Sequence, residues 1–147
     1  MVTITYWKDA VHGEIGKIDV EAFPYTYRVG PTGIWLMMVA AEDKVVEANK
    51  LVNIKIERVE IPHKTIVFPC MFLRCALGVV MSLVGVGVPK KIEESRYADE
   101  VLFLPISDGK ISKGELLSVL NMFYVSPEYR FTDEAKKRWV EERYRFS

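Results

Sequence analysis

The sequence predicts a mainly β protein: one β-barrel, β-clip or barrel-sandwich-like domain over residues 1–147, with a C-terminal α-helix from about 130 to 147. Three observations carry that expectation. Apolar residues alternate with period two in several separate stretches, Gly, Pro and Asp clusters punctuate the chain at strand length, and a helical signature occurs only near the C-terminus. A chain of 147 residues with 50% apolar content is long enough for a real core; chains of this size bury about 68–70% of their unfolded surface.

The elements follow in order. Val2, Ile4 and Tyr6 alternate with Thr3, Thr5 and Trp7, as in a half-buried strand. Ile18, Val20 and Ala22 share one face of a second strand and Lys17, Asp19 and Glu21 the other, until Pro24 ends it. Tyr25, Tyr27 and Val29 restart the alternation, and Gly30-Pro31-Thr32-Gly33 reads as a turn. Ile34 to Ala41 is a continuous apolar run, which predicts a strand covered on both faces. Glu42-Asp43-Lys44 marks another turn. In Leu51 to Ile61, Val52, Ile54 and Ile56 point one way, while Val59 and Ile61 fall on the opposite parity. That slip near Glu57-Arg58 predicts a β-bulge before Pro62 stops the strand.

Ile66 to Pro89 is 24 residues long with one charge, Arg74. Length alone would allow a membrane helix. Pro69, Gly78, Gly85 and Gly87, set among β-branched residues, favour buried strands and turns instead. Lys91 to Asp99 has room for one helical turn. Glu100 to Ile106 predicts a short buried strand, Ser107-Asp108-Gly109-Lys110 and Lys113-Gly114-Glu115 turns, and Leu116 to Val125 a last long strand. Thr132 is a suitable N-cap, followed by Asp133 and Glu134 and by charge pairs four apart up to Arg145, with Trp139 as an apolar anchor.

Composition excludes several function classes. Twenty basic residues balance twenty acidic ones, and the balance holds on both sides of Pro89. That removes the electrostatic basis for binding nucleic acid or an anionic membrane. The tail from Arg130 is only slightly basic, too little for a nucleic-acid interface. Two cysteines exclude a disulfide scaffold. The absence of Gln, with three Asn and 27% charged residues, fits a thermophile. The N-terminus lacks a basic region followed by an apolar stretch, so a soluble cytoplasmic protein is expected.

Familiar motifs fail on inspection. Gly85-Val86-Gly87 lacks the third glycine of a dinucleotide fingerprint, and Pro89 stands where a helix would start. Gly109 and Gly114 have phosphate-loop spacing, but Glu115 occupies the lysine position. No nucleophile, base and orienting group form a set around His12 or His63, so no catalytic residues are assigned. His63 follows Ile61-Pro62 and reads as exposed in a turn. Cys70 and Cys75 are five apart, which sets their side chains apart in strand or helix unless a turn intervenes. They read as buried thiols, with an intermolecular bridge as the sharper alternative. With His63 they make an incomplete metal set, so neither a metal nor a cofactor is expected.

Arg74 is the charge most out of place. A guanidinium in apolar surroundings needs an anion or several carbonyls. A structural pair with Glu57 or Glu60 is one reading, and a fork holding the anionic group of a small ligand is the other. Arg74, His63 and Cys70 are therefore the candidate ligand-binding residues.

Ile106 to Leu120, with two glycine turns before a strand, resembles the G-x-x-V-x-x-G-[DE]-x-L pattern of biotinyl and lipoyl barrel-sandwich domains. The modifiable lysine of those carriers has no counterpart, so the likeness implies fold alone. A broader resemblance rests on Glu42-Asp43, Ile61-Pro62, the run Phe68-Pro69-Cys70-Met71-Phe72-Leu73-Arg74-Cys75-Ala76-Leu77-Gly78, Phe103 to Ile111 and Gly114-Glu115-Leu116-Leu117. Over roughly residues 33–125 the chain resembles an archaeal family catalogued as domain of unknown function 22. This implies an archaeal cytoplasmic protein and transfers no catalytic residues. The functional expectation is a non-catalytic module that binds a small anionic ligand or a partner and forms homo-oligomers. The alternative is a β-clip-type enzyme acting on a small anionic metabolite or nucleotide.

Overall fold

The structure is a computed structural model and describes residues 1–21, 27–72 and 75–127. The first alternations become β1 (Val2–Trp7) and β2 (Ile15–Val20), paired antiparallel with Val2 opposite Val20 and Trp7 opposite Ile15. Lys8 N–H donates to the Glu14 carbonyl at 3.0 Å to close the connection. There His12 takes a left-handed φ of 65°.

One three-stranded sheet consists of β3 (Tyr27–Val39), β10 (Leu116–Pro127) and β6 (Thr65–Pro69), with β10 in the centre. The expected turn at Gly30-Pro31-Thr32-Gly33 is not one, because those residues lie inside β3. Phe123 faces Gly33 and Val125 faces Val29, so β3 takes four steps where β10 takes two. The turn residues form a bulge, where Pro31 needs no ladder hydrogen bond.

The other three-stranded sheet has β8 (Arg96–Pro105) between β5 (Val52–Ile61) and β7 (Gly78–Leu83). The expected bulge in β5 is present: Lys55 faces Glu100 but Val59 faces Ala98. It turns both Ile54-Ile56 and Val59-Ile61 into the core despite their opposite parity. The Lys91–Asp99 helical turn is corrected. One turn, with Glu94 N–H on the Lys91 carbonyl at 3.1 Å, leads directly into β8. Two strands too short to read from pattern, β4 (Lys44–Val46) and β9 (Gly109–Ile111), pair beside the main sheets.

Met38, Ile54, Val101, Phe103, Ile111 and Leu117 form the centre of a core shared by β3, β5, β8, β9 and β10. Each fully buried side chain of this kind contributes about 1.5–3 kcal/mol. The sheets meet at one side through a bridge between Ala40 and Ile56. At the other, an apolar groove lined by Met38, Val67, Pro69, Val80, Leu83 and Leu120 lies between β6 and β7. Strand β6 pairs with β10 and β7 with β8, so the described residues form four separate sheets and no closed barrel. The fold is mainly β, as expected, but the barrel expectation is corrected at this seam. The expectations for Ala22 to Tyr25 and for the helix from Thr132 lie outside the described residues. No helix among the described residues is long and apolar enough to cross a membrane.

The apolar run Ile34 to Ala41 also departs from expectation. Met38 and Ala40 are buried, but Trp35 and Met37 on the other face are exposed.

Candidate functional site

Beyond the second sheet, the loop after β7 folds back over the first hairpin. Val84 N–H donates to the Glu100 carbonyl at 2.9 Å, and Gly87 N–H to the Trp7 carbonyl at 2.6 Å. Gly87 has a φ of 82°, a conformation that side chains rarely adopt, which is why glycine suits this crossing. The result is a cleft of about 840 Å³ between β1, the 84–90 loop and the start of β8. That volume falls within the roughly 300–1,000 Å³ of small-molecule sites. Its walls include the aromatic residues Tyr6, Trp7 and Tyr97, the cations Lys90 and Arg96, and the carboxylate Asp99.

Arg96 is the most constrained charge there. It stands opposite Ile61 and in phase with buried Ala98, so its strand position points it inward. One guanidinium nitrogen, Nη2, donates to the Thr65 carbonyl and lies 3.5 Å from the Thr65 hydroxyl. Thr65 is itself fully buried, and its hydroxyl donates to the Pro62 carbonyl at 2.5 Å. Arg96 Nε is buried and has no hydrogen-bond partner, as is Glu93 Oε2. Burial pushes the Arg96 guanidinium below its ordinary value, while the nearby Glu93 charge acts in the opposite direction. The group still remains charged at any physiological pH. A buried donor without a partner costs about 1–3 kcal/mol.

The other charges at the cleft are held more loosely. Asp99 lies 3.7 Å from Arg58, whose guanidinium sits 4.1 Å above the Tyr97 ring. Lys90 is 3.8 Å from Glu94, with both side chains exposed. Pairs in such open positions contribute little and give way readily to a stronger counter-ion. The Trp7 ring packs against His12, with centroids 5.8 Å apart.

The residues singled out from the sequence lie elsewhere. His63 is exposed in a turn with Lys64, which has a φ of 56°. Cys70 is half-buried past the end of β6, where its N–H donates to the Val119 carbonyl at 2.9 Å. Cys75 is buried in the core, and the two cysteines form no disulfide. Neither His63 nor Cys70 lines the cleft. Arg74 lies outside the described residues, while both of its expected carboxylate partners, Glu57 and Glu60, are exposed on β5. Sequence reasoning missed Arg96, because Glu93-Glu94-Ser95-Arg96 looks like a solvated charge run. The signal that would have found it is its shared parity with Ala98.

Comparison with known proteins places this geometry in context. A relative, Uncharacterized protein MJ0614 of the archaeon Methanocaldococcus jannaschii, is 30% identical over 83 residues. Those residues are 56% of this chain and 63% of the relative, so the chain spans less than two thirds of that protein's length. No solved structure matches the chain. The sequence profile of the family described as Domain of unknown function DUF22 matches residues 1–109. That span starts earlier and ends sooner than the resemblance over roughly 33–125 had implied, and it contains every residue lining the cleft. The chain belongs to this family, Domain of unknown function DUF22.

Proposed function

We propose that the protein is a non-catalytic binding module and that the cleft beside Trp7 and Arg96 takes a small anionic ligand with a planar ring. The observation that carries this reading is the pairing of two chemistries in one cavity of about 840 Å³. Lys90 and the Arg96 guanidinium supply positive charge, and Tyr6, Trp7 and Tyr97 supply ring faces. Arginine donates in a fixed fork suited to carboxylate or phosphate. Aromatic faces add roughly 1–3 kcal/mol per stacked base in nucleic-acid sites. A nucleoside monophosphate has both features. The amide-poor, charge-rich composition supports a protein that works in a hot cytoplasm.

Calorimetric titration with a nucleoside monophosphate, an aromatic carboxylate and inorganic phosphate tests the reading. Saturable binding of at least one ring-bearing anion is expected, with phosphate alone binding more weakly. Arg96→Ala removes a charge-assisted hydrogen bond worth about 1.5–3 kcal/mol, so affinity falls roughly 10- to 100-fold. Lys90→Ala, on an exposed side chain, leaves the fold intact and weakens binding less. Absence of binding by all three anions contradicts the reading.

A further inference from the structure

The hairpin of β1 and β2 is built as a unit of its own. Its residue pairs run from Val2–Val20 to Trp7–Ile15. Side chains tie it near both ends, where Thr3 Oγ1 donates to Asp19 and Lys8 Nζ to Glu14, each at 2.6 Å. The Tyr6 ring covers Gly16, its ladder partner, so closely that a Cβ there would meet ring atoms at 2.5 and 2.8 Å. Trp7 packs on His12 of the same hairpin.

Little joins this unit to the rest of the molecule. No residue of β1 or β2 belongs to the central apolar cluster, and Gly16 alone among them is buried. Among the described residues, one backbone hydrogen bond links residues 1–20 to the remainder, from Gly87 N–H to the Trp7 carbonyl. Yet the hairpin supplies one wall of the cleft. Thr5, Tyr6, Trp7 and Ile15 line it on that side, and Arg96 and Tyr97 line it from β8.

We infer that the hairpin is a flap over the cleft, held loosely in the free protein and drawn onto β8 and the 84–90 loop by the ligand; this rests on the reading of the cleft as a ligand site. A ligand that touches the hairpin and β8 together binds the docked arrangement better than the undocked one. It shifts the population toward docking by that difference in affinity. The size of the cleft agrees. At about 840 Å³ it stands near the top of the roughly 300–1,000 Å³ range, and Val86 and Val88 on its loop wall are 50% and 55% exposed. Small ligands in such sites lose about 70–90% of their surface to the protein, which an open cleft achieves by narrowing. A two-stranded hairpin is at best marginally stable alone in water, so its ladder opens when it leaves the body.

Hydrogen exchange of the full chain, followed amide by amide with and without adenosine monophosphate, tests the inference. Calorimetry on the same samples reports binding. In the free protein, the ladder amides of β1 and β2 and the Gly87 amide are expected to exchange at least about 100-fold faster than those of the β5–β8 ladder. With adenosine monophosphate at 100 times its Kd, they are expected to slow by up to about 100-fold. The slowing is expected to reach the Val2–Val20 end, beyond the cleft lining, because the hairpin docks as a unit. Hairpin amides as slow as those of β5–β8 in the free protein overturn the inference. So does calorimetric binding with hairpin exchange unchanged, or with slowing confined to the cleft lining; in both cases the ligand reading stands. Failure of adenosine monophosphate to bind, and of benzoate as a second ring-bearing anion, removes the ligand reading and the coupling with it, even where the free hairpin opens.

Discussion

Gly78 sets how closely β7 and β8 approach. A Cβ built there would meet the Leu104 carbonyl oxygen, with Pro105 Cα at 2.8 Å and a ring carbon of Phe103 at 2.9 Å. Two of these atoms are backbone and the third belongs to a fully buried ring, so none can give way cheaply. Gly78→Ala is therefore expected to destabilise the protein by about 1–3 kcal/mol, read from the denaturant midpoint. Gly85→Ala is the control, since nothing lies within 4 Å of its Cβ position. At this scale the sequence was only partly informative. Arg74 stood out because its neighbours in the chain are apolar. The burial of Arg96 comes instead from Thr65, 31 residues away in the chain, and such long-range burial leaves little local trace. The turn position of His63 was legible because Pro62 and the end of the strand are local signals.

At the scale of elements, period-two alternation identified β1, β2 and β5, a long apolar stretch after a turn identified β10, and the parity slip of Val59 and Ile61 located a real bulge. The same logic misread Gly30 to Gly33, because glycine and proline mark a bulge as readily as a turn. Strands β4 and β9 have three residues each, too few for any period to show. Side-chain caps hold them in place. The Asp43 carboxylate accepts from Lys113 N–H at 2.8 Å and lies 3.8 Å from Lys110 Nζ, while Asp108 accepts from Ala48 N–H at 2.7 Å. The Lys113 N–H, aided by the Lys110 charge, holds the Asp43 carboxyl below its usual 3.8. The folded state thus binds this proton more weakly than the unfolded chain. The stabilisation is complete above the usual carboxylate value and is lost as pH falls through the lowered one. Denaturation midpoints measured between about pH 2 and 6 are expected to fall more steeply on the acid side for the wild type than for Asp43→Asn.

For the molecule as a whole, the two sheets divide the surface into different environments. One outward face carries cross-strand charges and the other is apolar, while the cleft lies beyond the charged sheet, next to the first hairpin. The balance of twenty basic and twenty acidic residues hides this division, because composition records how many charges there are and not where the strands place them. The mainly β class was legible because it depends on local alternation. The open seam between β6 and β7 was not, since it depends on which distant strands pair. The central claim is that the cleft at Trp7, Gly87, Arg96 and Tyr97 is the ligand site. Its most direct test is amide chemical-shift mapping of the isotope-labelled protein during titration with a nucleoside monophosphate. The account predicts saturable shifts concentrated at β1, the 84–90 loop and the start of β8, with the amides of Trp35 and Met37 unmoved. No shifts at saturating ligand, or shifts centred on the β3–β10–β6 face, would contradict it.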